Sequence, residues 1–237
     1  APAFEIIENK YGDEALIYAW YAETMSSILY RLDDYAQAVN LQEKAADIYF
    51  NEIGEGEDYR DAQYSLGKLF AQLGHYENSI QAIEKSRKSV LKEYGRYSIA
   101  YTDDTKEIAV TYLIWDKNKE ALGELNTVKN LYDSIGVKRS FYALVYNYMG
   151  WALLDMGQLE EGKKHYEMAI QIADSTWGKT SGASMQYRNN LAFYYLQKGE
   201  YVKAEKLRLE SKKESFDSDL SNVASLDKMA MLYTAWN

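Results

Sequence analysis

Large apolar residues four positions apart, the first followed directly by a small residue, recur along the chain. They are Met25, Ser26 and Leu29; Leu66, Gly67 and Phe70; Ile108, Ala109 and Tyr112; Met149, Gly150 and Leu153; and Leu191, Ala192 and Tyr195. An i, i+4 apolar pair is the seam of an amphipathic helix. A second small-residue series, Ala45, Ser86, Val128, Ala169 and Ser211, falls between the members of the first. Backbones approach closely only where side chains are small, so the two series mark where paired helices cross.

Between these seams lie two series of turn residues. Asp33, Gly74, Asp116, Gly157 and Gly199 recur every 41 or 42 residues, and so do Gly12, Gly54, Gly95, Gly136 and Gly178. Gly or Asp ends a helix cheaply because each reaches the left-handed or turn conformation. Two helices of roughly 20 residues, each about 30 Å long, therefore fit within one period. A single proline in 237 residues suits such uninterrupted helices. The pattern predicts an all-α fold of antiparallel helix pairs over residues 1–237, one repeat domain. A partial helix covers 3–12, five full repeats cover about 13–54, 55–95, 96–136, 137–178 and 179–219, and a final single helix covers about 220–237.

The unit turning at Gly199 carries Ala192, Tyr195, Gly199, Tyr201 and Ala204. This combination resembles the tetratricopeptide repeat, and the period near 42 with the string NNLAFYYLQKGEYVKAE is similar to the kinesin light chain type of that repeat. The resemblance spans nearly the whole chain and implies a right-handed superhelical α-solenoid. It is strong at Gly74, Gly157 and Gly199 and weaker at Asp116, where WDKNKEAL lacks the glycine and the aromatic residue.

A formal charge of −9 argues against a nucleic acid partner, since phosphate backbones are bound mainly through Lys and Arg. No run approaches the roughly 18 apolar residues of a membrane span. The absence of cysteine excludes disulfides and thiolate chemistry, and is compatible with a cytoplasm and a periplasm alike. His75 and His165 stand alone, and no metal, phosphate-loop or nucleophile motif is present. Gly54 and Gly56 sit among acidic residues that would repel a phosphate, and the DDTKE run at Asp103 to Glu107 reads as helix-start charge. The expectation is a chain without enzymatic activity, cofactor or metal.

The resemblance implies a concave wall built by the first helix of each pair. In that family the two residues before the Leu-Ala pair face the wall, often as asparagines that pin a bound peptide backbone. Asn189 and Asn190 match that pattern, and Asn147 matches its first position. The earlier units place Tyr64 and Ser65, then Lys106 and Glu107, at the same points. An amide both donates and accepts, so it can stand in for a neighbouring strand without reading sequence. One turn on, Lys68, Val110, Trp151 and Phe193 are expected on the same face, with Trp20 and Gln186 one turn earlier. Trp151 and Phe193 read either as peptide anchors or as packing against the adjacent unit. The expected partner is a protein or an extended peptide, neutral or basic given the net charge. The carboxylate-gripping arrangement of chaperone-binding repeats is not reproduced, because Glu, Tyr and Ser occupy the early positions.

ENKYG at Glu8 to Gly12 aligns with KEYG at Lys92 to Gly95, so the chain opens on the tail of a second helix. MAMLYTAWN ends where a turn would follow, with Met229, Met231, Tyr233 and Trp236 leaving the last helix apolar. Repeat arrays need polar caps. Three expectations follow: a protein-binding scaffold, the sensory or regulatory arm of a larger signalling or peptidase protein, or a homodimer formed through the apolar C-terminal helix.

Overall fold

A computed structural model describes residues 2–212, with side chains described from Ile6 to Glu210. The described residues form helices α1 (Pro2–Tyr11), α2 (Leu16–Arg31), α3 (Tyr35–Ile53), α4 (Glu57–Gln72), α5 (Tyr76–Tyr94), α6 (Ile99–Ile114), α7 (Asn118–Ile135), α8 (Phe141–Asp155), α9 (Leu159–Trp177), α10 (Gly182–Gln197) and α11 (Tyr201–Lys212), with no strand among them. They are five helix pairs, α2–α3 through α10–α11, preceded by the short α1. The fold is all-α and repetitive, as expected. Two compact units divide it, the first ending at Ile135 and the second beginning at Gly136. The C-terminal helix expected over about 220–237, with Met229, Met231, Tyr233 and Trp236, lies outside the described residues, as does the side chain of Ser211.

The two turn series differ in kind. Within each pair, the residue ending the first helix is left-handed: φ is 59° at Asp33 and Asp116, and 71° to 75° at Gly74, Gly157 and Gly199. All five turns close with the same two bonds. At Gly157 its N–H reaches the Leu154 carbonyl at 2.9 Å, and the Gln158 N–H reaches the Leu153 carbonyl at 2.8 Å; at Asp116 the corresponding distances are 3.1 and 2.8 Å. This double closure satisfies carbonyls that the helix end leaves open. Asp116 therefore forms the same turn as the glycines, and its carboxylate accepts from Asn118 at 2.8 Å. Between pairs the conformation is different. Gly95 combines φ 78° with ψ 172°. That region is essentially closed to any residue with a Cβ, and glycine occupies every position of this series while aspartate enters only the other.

The crossings are tight where the small residues fall. In the first unit, a Cβ added to Gly67 would lie 2.4 Å from the Ile83 side chain; in the second, one added to Gly150 would lie 2.8 Å from the Tyr166 ring. Ser26 is buried and its hydroxyl donates to the Ala38 carbonyl at 2.9 Å, so it tolerates the crossing by satisfying its own polar group. In the first unit, Ile7 of α1 joins the core of Tyr18, Ala22, Ala45, Ile48 and Ala62. In the second, Leu154, Tyr166, Leu191 and Tyr194 pack together between α8, α9 and α10.

Candidate amide face of the first helices

In the second unit, α8 and α10 carry the expected asparagines, and their roles divide. Asn147 is 3% exposed. Its carbonyl oxygen accepts from the Asn190 amide nitrogen at 2.7 Å, linking the two first helices. Asn190 is half-buried, while Asn189 beside it and Gln186 one turn earlier are exposed. Neither exposed amide has a side-chain partner among the described residues. The link, buried on its Asn147 side, engages one N–H of the Asn190 amide, which carries a second N–H and an oxygen besides. The aromatic pair divides as well. Trp151 packs against the core of Leu154 and Tyr166, and its indole N–H donates to Asp155 at 2.7 Å. Phe193 is 53% exposed. Beneath the face, Arg188 is buried, pairs with Asp174 at 2.6 Å and donates to the Lys179 carbonyl at 3.1 Å, tying the start of α10 to the end of α9.

In the first unit the same positions hold a different chemistry. The Tyr64 hydroxyl donates to Glu107 at 3.2 Å, linking α4 and α6. Burial, then the Glu107 charge, push the Tyr64 phenol well above the usual tyrosine range. The Lys68 ammonium lies 5.7 Å from the centre of the Tyr64 ring. Lys106 pairs with Asp103 on its own helix. Glu23, at the position corresponding to Asn189, accepts from Tyr49 at 3.3 Å, and burial raises its pKa. Trp20 is 57% exposed and stands edge-on to Tyr21 with ring centres 5.0 Å apart.

The links in the two units share one geometry. In each, the first-position residue of one pair bonds the second-position residue of the next: Tyr64 to Glu107, and Asn147 to Asn190. Sequence alignment places Asn147 opposite Asn189, but the stagger between neighbouring first helices brings it to Asn190. Sequence reasoning missed a further residue. Asp104, read as helix-start charge, is 4% exposed on α6 and accepts from the Ser86 hydroxyl at 3.0 Å. Its counterparts Ala62, Val145 and Tyr187 are buried and Tyr21 is half-buried, and that register was the available signal. Among the described residues no three His, Cys, Asp or Glu side chains converge as metal ligands, and no helix is long and apolar enough to cross a membrane.

Residues 61–86 and 143–176 match the family model for the tetratricopeptide repeat, covering most of α4–α5 and α8–α9. Among solved structures, a kinesin light chain from Podosopora anserina with nearly identical TPR-like repeats is 16% identical with a TM-score of 0.68, covering 87% of this chain and 99% of its own. BtubC (BKLC) from P. vanneervenii is 16% identical with a TM-score of 0.68, covering 90% of this chain and 85% of its own. A Rap protein complexed with competence and sporulation factor is 14% identical with a TM-score of 0.70; the match covers 90% of this chain and 57% of the Rap chain. At these identities the likeness is one of fold. A search among curated proteins returns no match.

Proposed function

From a chain built of tetratricopeptide-type repeats with kinesin light chain-like spacing, we propose a scaffold without catalytic chemistry that holds an extended peptide or a partner protein on its first helices. The carrying observation is the amide arrangement of the second unit. Asn190 is held in place by buried Asn147, while Asn189 and Gln186 present amides with no side-chain partner among the described residues, beside exposed Phe193. Fixed amides can bond a peptide main chain in the manner of an adjacent strand, and an exposed aromatic ring can take an apolar anchor. Tyr64, Lys68 and Lys106 form the polar counterpart of this face in the first unit, with Trp151 a packed support in the second. The Rap structure, a complex with competence and sporulation factor, supports the reading that folds of this kind present a ligand face.

The test is capture on an array of extended peptides by the wild type and by the Asn147→Ala, Asn189→Ala, Asn190→Ala triple variant. Loss of capture by at least about tenfold, equivalent to about 1.4 kcal/mol, with unchanged helical circular dichroism is the expected outcome. Full retention of capture by the triple variant overturns the site.

A further inference from the structure

The interface between α5 and α6 in the first unit carries two buried polar links. The hydroxyls of Ser79 and Thr111 lie 3.1 Å apart at one end, and Ser86 donates to Asp104 at the other. Asp104 is the unusual member. A buried carboxylate is tolerated when a cation pairs with it or when it takes up a proton. The arginines of the neighbouring helices are engaged elsewhere: Arg60 of α4 with Glu57, Asp61 and Glu93, and Arg87 of α5 with Glu84 and Glu124. Tyr64 of α4 is committed to Glu107, and Asp103 on α6 adds a like charge to the surroundings of Asp104. Tyr132 of α7 is buried near Asp103 and brings no positive charge. The Ser86 hydroxyl is the polar group bonded directly to the carboxylate, at a position where other pairs place Ala62, Val145 and Tyr187.

We propose that the α5–α6 junction is a proton-operated joint, closed while Asp104 carries a proton and loosened when it ionises. Burial pushes the carboxyl up to about 7, against the opposing pull of the Ser86 bond and of the Arg60 and Arg87 charges, which act on it even though both guanidinium groups are paired with other carboxylates. The folded state therefore binds this proton more tightly than the unfolded chain, whose Asp titrates near 4. Stability from this group is full below pH ~4, declines as pH rises between ~4 and ~7, and is lost above. The joint thus weakens between about pH 4 and pH 7, mostly above the range in which an ordinary carboxylate titrates.

Urea unfolding of the wild type and Asp104→Asn from pH 5 to pH 8 tests the joint, with Asp103→Asn, at the half-buried neighbour paired with Lys106, as the control. The wild-type folded-to-unfolded ratio is expected to fall about 50-fold more than that of Asp104→Asn between pH 5 and pH 7, at about tenfold per pH unit until the folded-state midpoint is approached. Asp103→Asn is expected to retain most of the wild-type slope. An Asp104→Asn slope equal to the wild type's overturns the proposal. Carboxyl carbon NMR of the wild type provides a reading independent of any variant. A titration midpoint for Asp104 near neutrality supports the joint, and one near 4 sinks it.

Discussion

The α4–α6 face of the first unit and the α8–α10 face of the second have the same inter-helix link made from different chemistry. Tyr64 and Glu107 join a phenol to a carboxylate, with Lys68 over the ring and Lys106 held by Asp103. Asn147 and Asn190 join two amides, leaving Asn189 and Gln186 open. The difference teaches that the repeat fixes where a link falls while the residues at that point decide what remains for a ligand. In the first unit, charge and ring contacts engage the face internally. In the second, each amide has more hydrogen-bonding capacity than the single link consumes.

The comparison can be broken at its support. Gly150→Val would force a side chain into the Tyr166 ring, displacing α8 from α9 beneath the amide face; a loss of about 3 kcal/mol in urea unfolding is expected. A Gly150→Val protein as stable as the wild type would contradict the crossing. Asn190→Leu removes the partner of an amide that is 3% exposed. Leaving a buried polar group unpaired costs about 1 to 3 kcal/mol, so this change should rank second. Tyr64→Phe removes the corresponding hydroxyl in the first unit, where half-buried Glu107 can turn to water, and should cost about 0.5 to 1 kcal/mol. Equal losses for Asn190→Leu and Tyr64→Phe would erase the distinction between a link with one buried partner and a link whose two partners are both half-buried.

Much of the scaffold is readable in the sequence because its causes are local. The left-handed turn at Asp33 and Asp116, the extended turn at Gly95, and the tight contacts at Gly67 and Gly150 each restrict residue type at one position. WDKNKEAL reads weakly, yet it forms the standard turn because aspartate tolerates the left-handed region and Asn118 caps its carboxylate. The face is less legible. Placing Asn147 against Asn190 depends on the stagger of neighbouring helices, which periodicity alone does not encode. Whether Trp151 or Phe193 is exposed depends on what packs beside each ring, and a helical wheel treats the two alike. Asp104 escaped notice for a related reason: DDTKE looks like solvated charge until the buried positions Ala62, Val145 and Tyr187 are aligned with it.

The most direct measurement is a proton–nitrogen NMR titration of the side-chain amides with a peptide selected on the array. The account predicts that the Asn189, Asn190 and Gln186 amide signals shift together and saturate at one peptide per chain, with the backbone signals around Phe193 moving alongside. Shifts confined to the outer surfaces of the second helices, with these three amides unmoved at saturation, would contradict it.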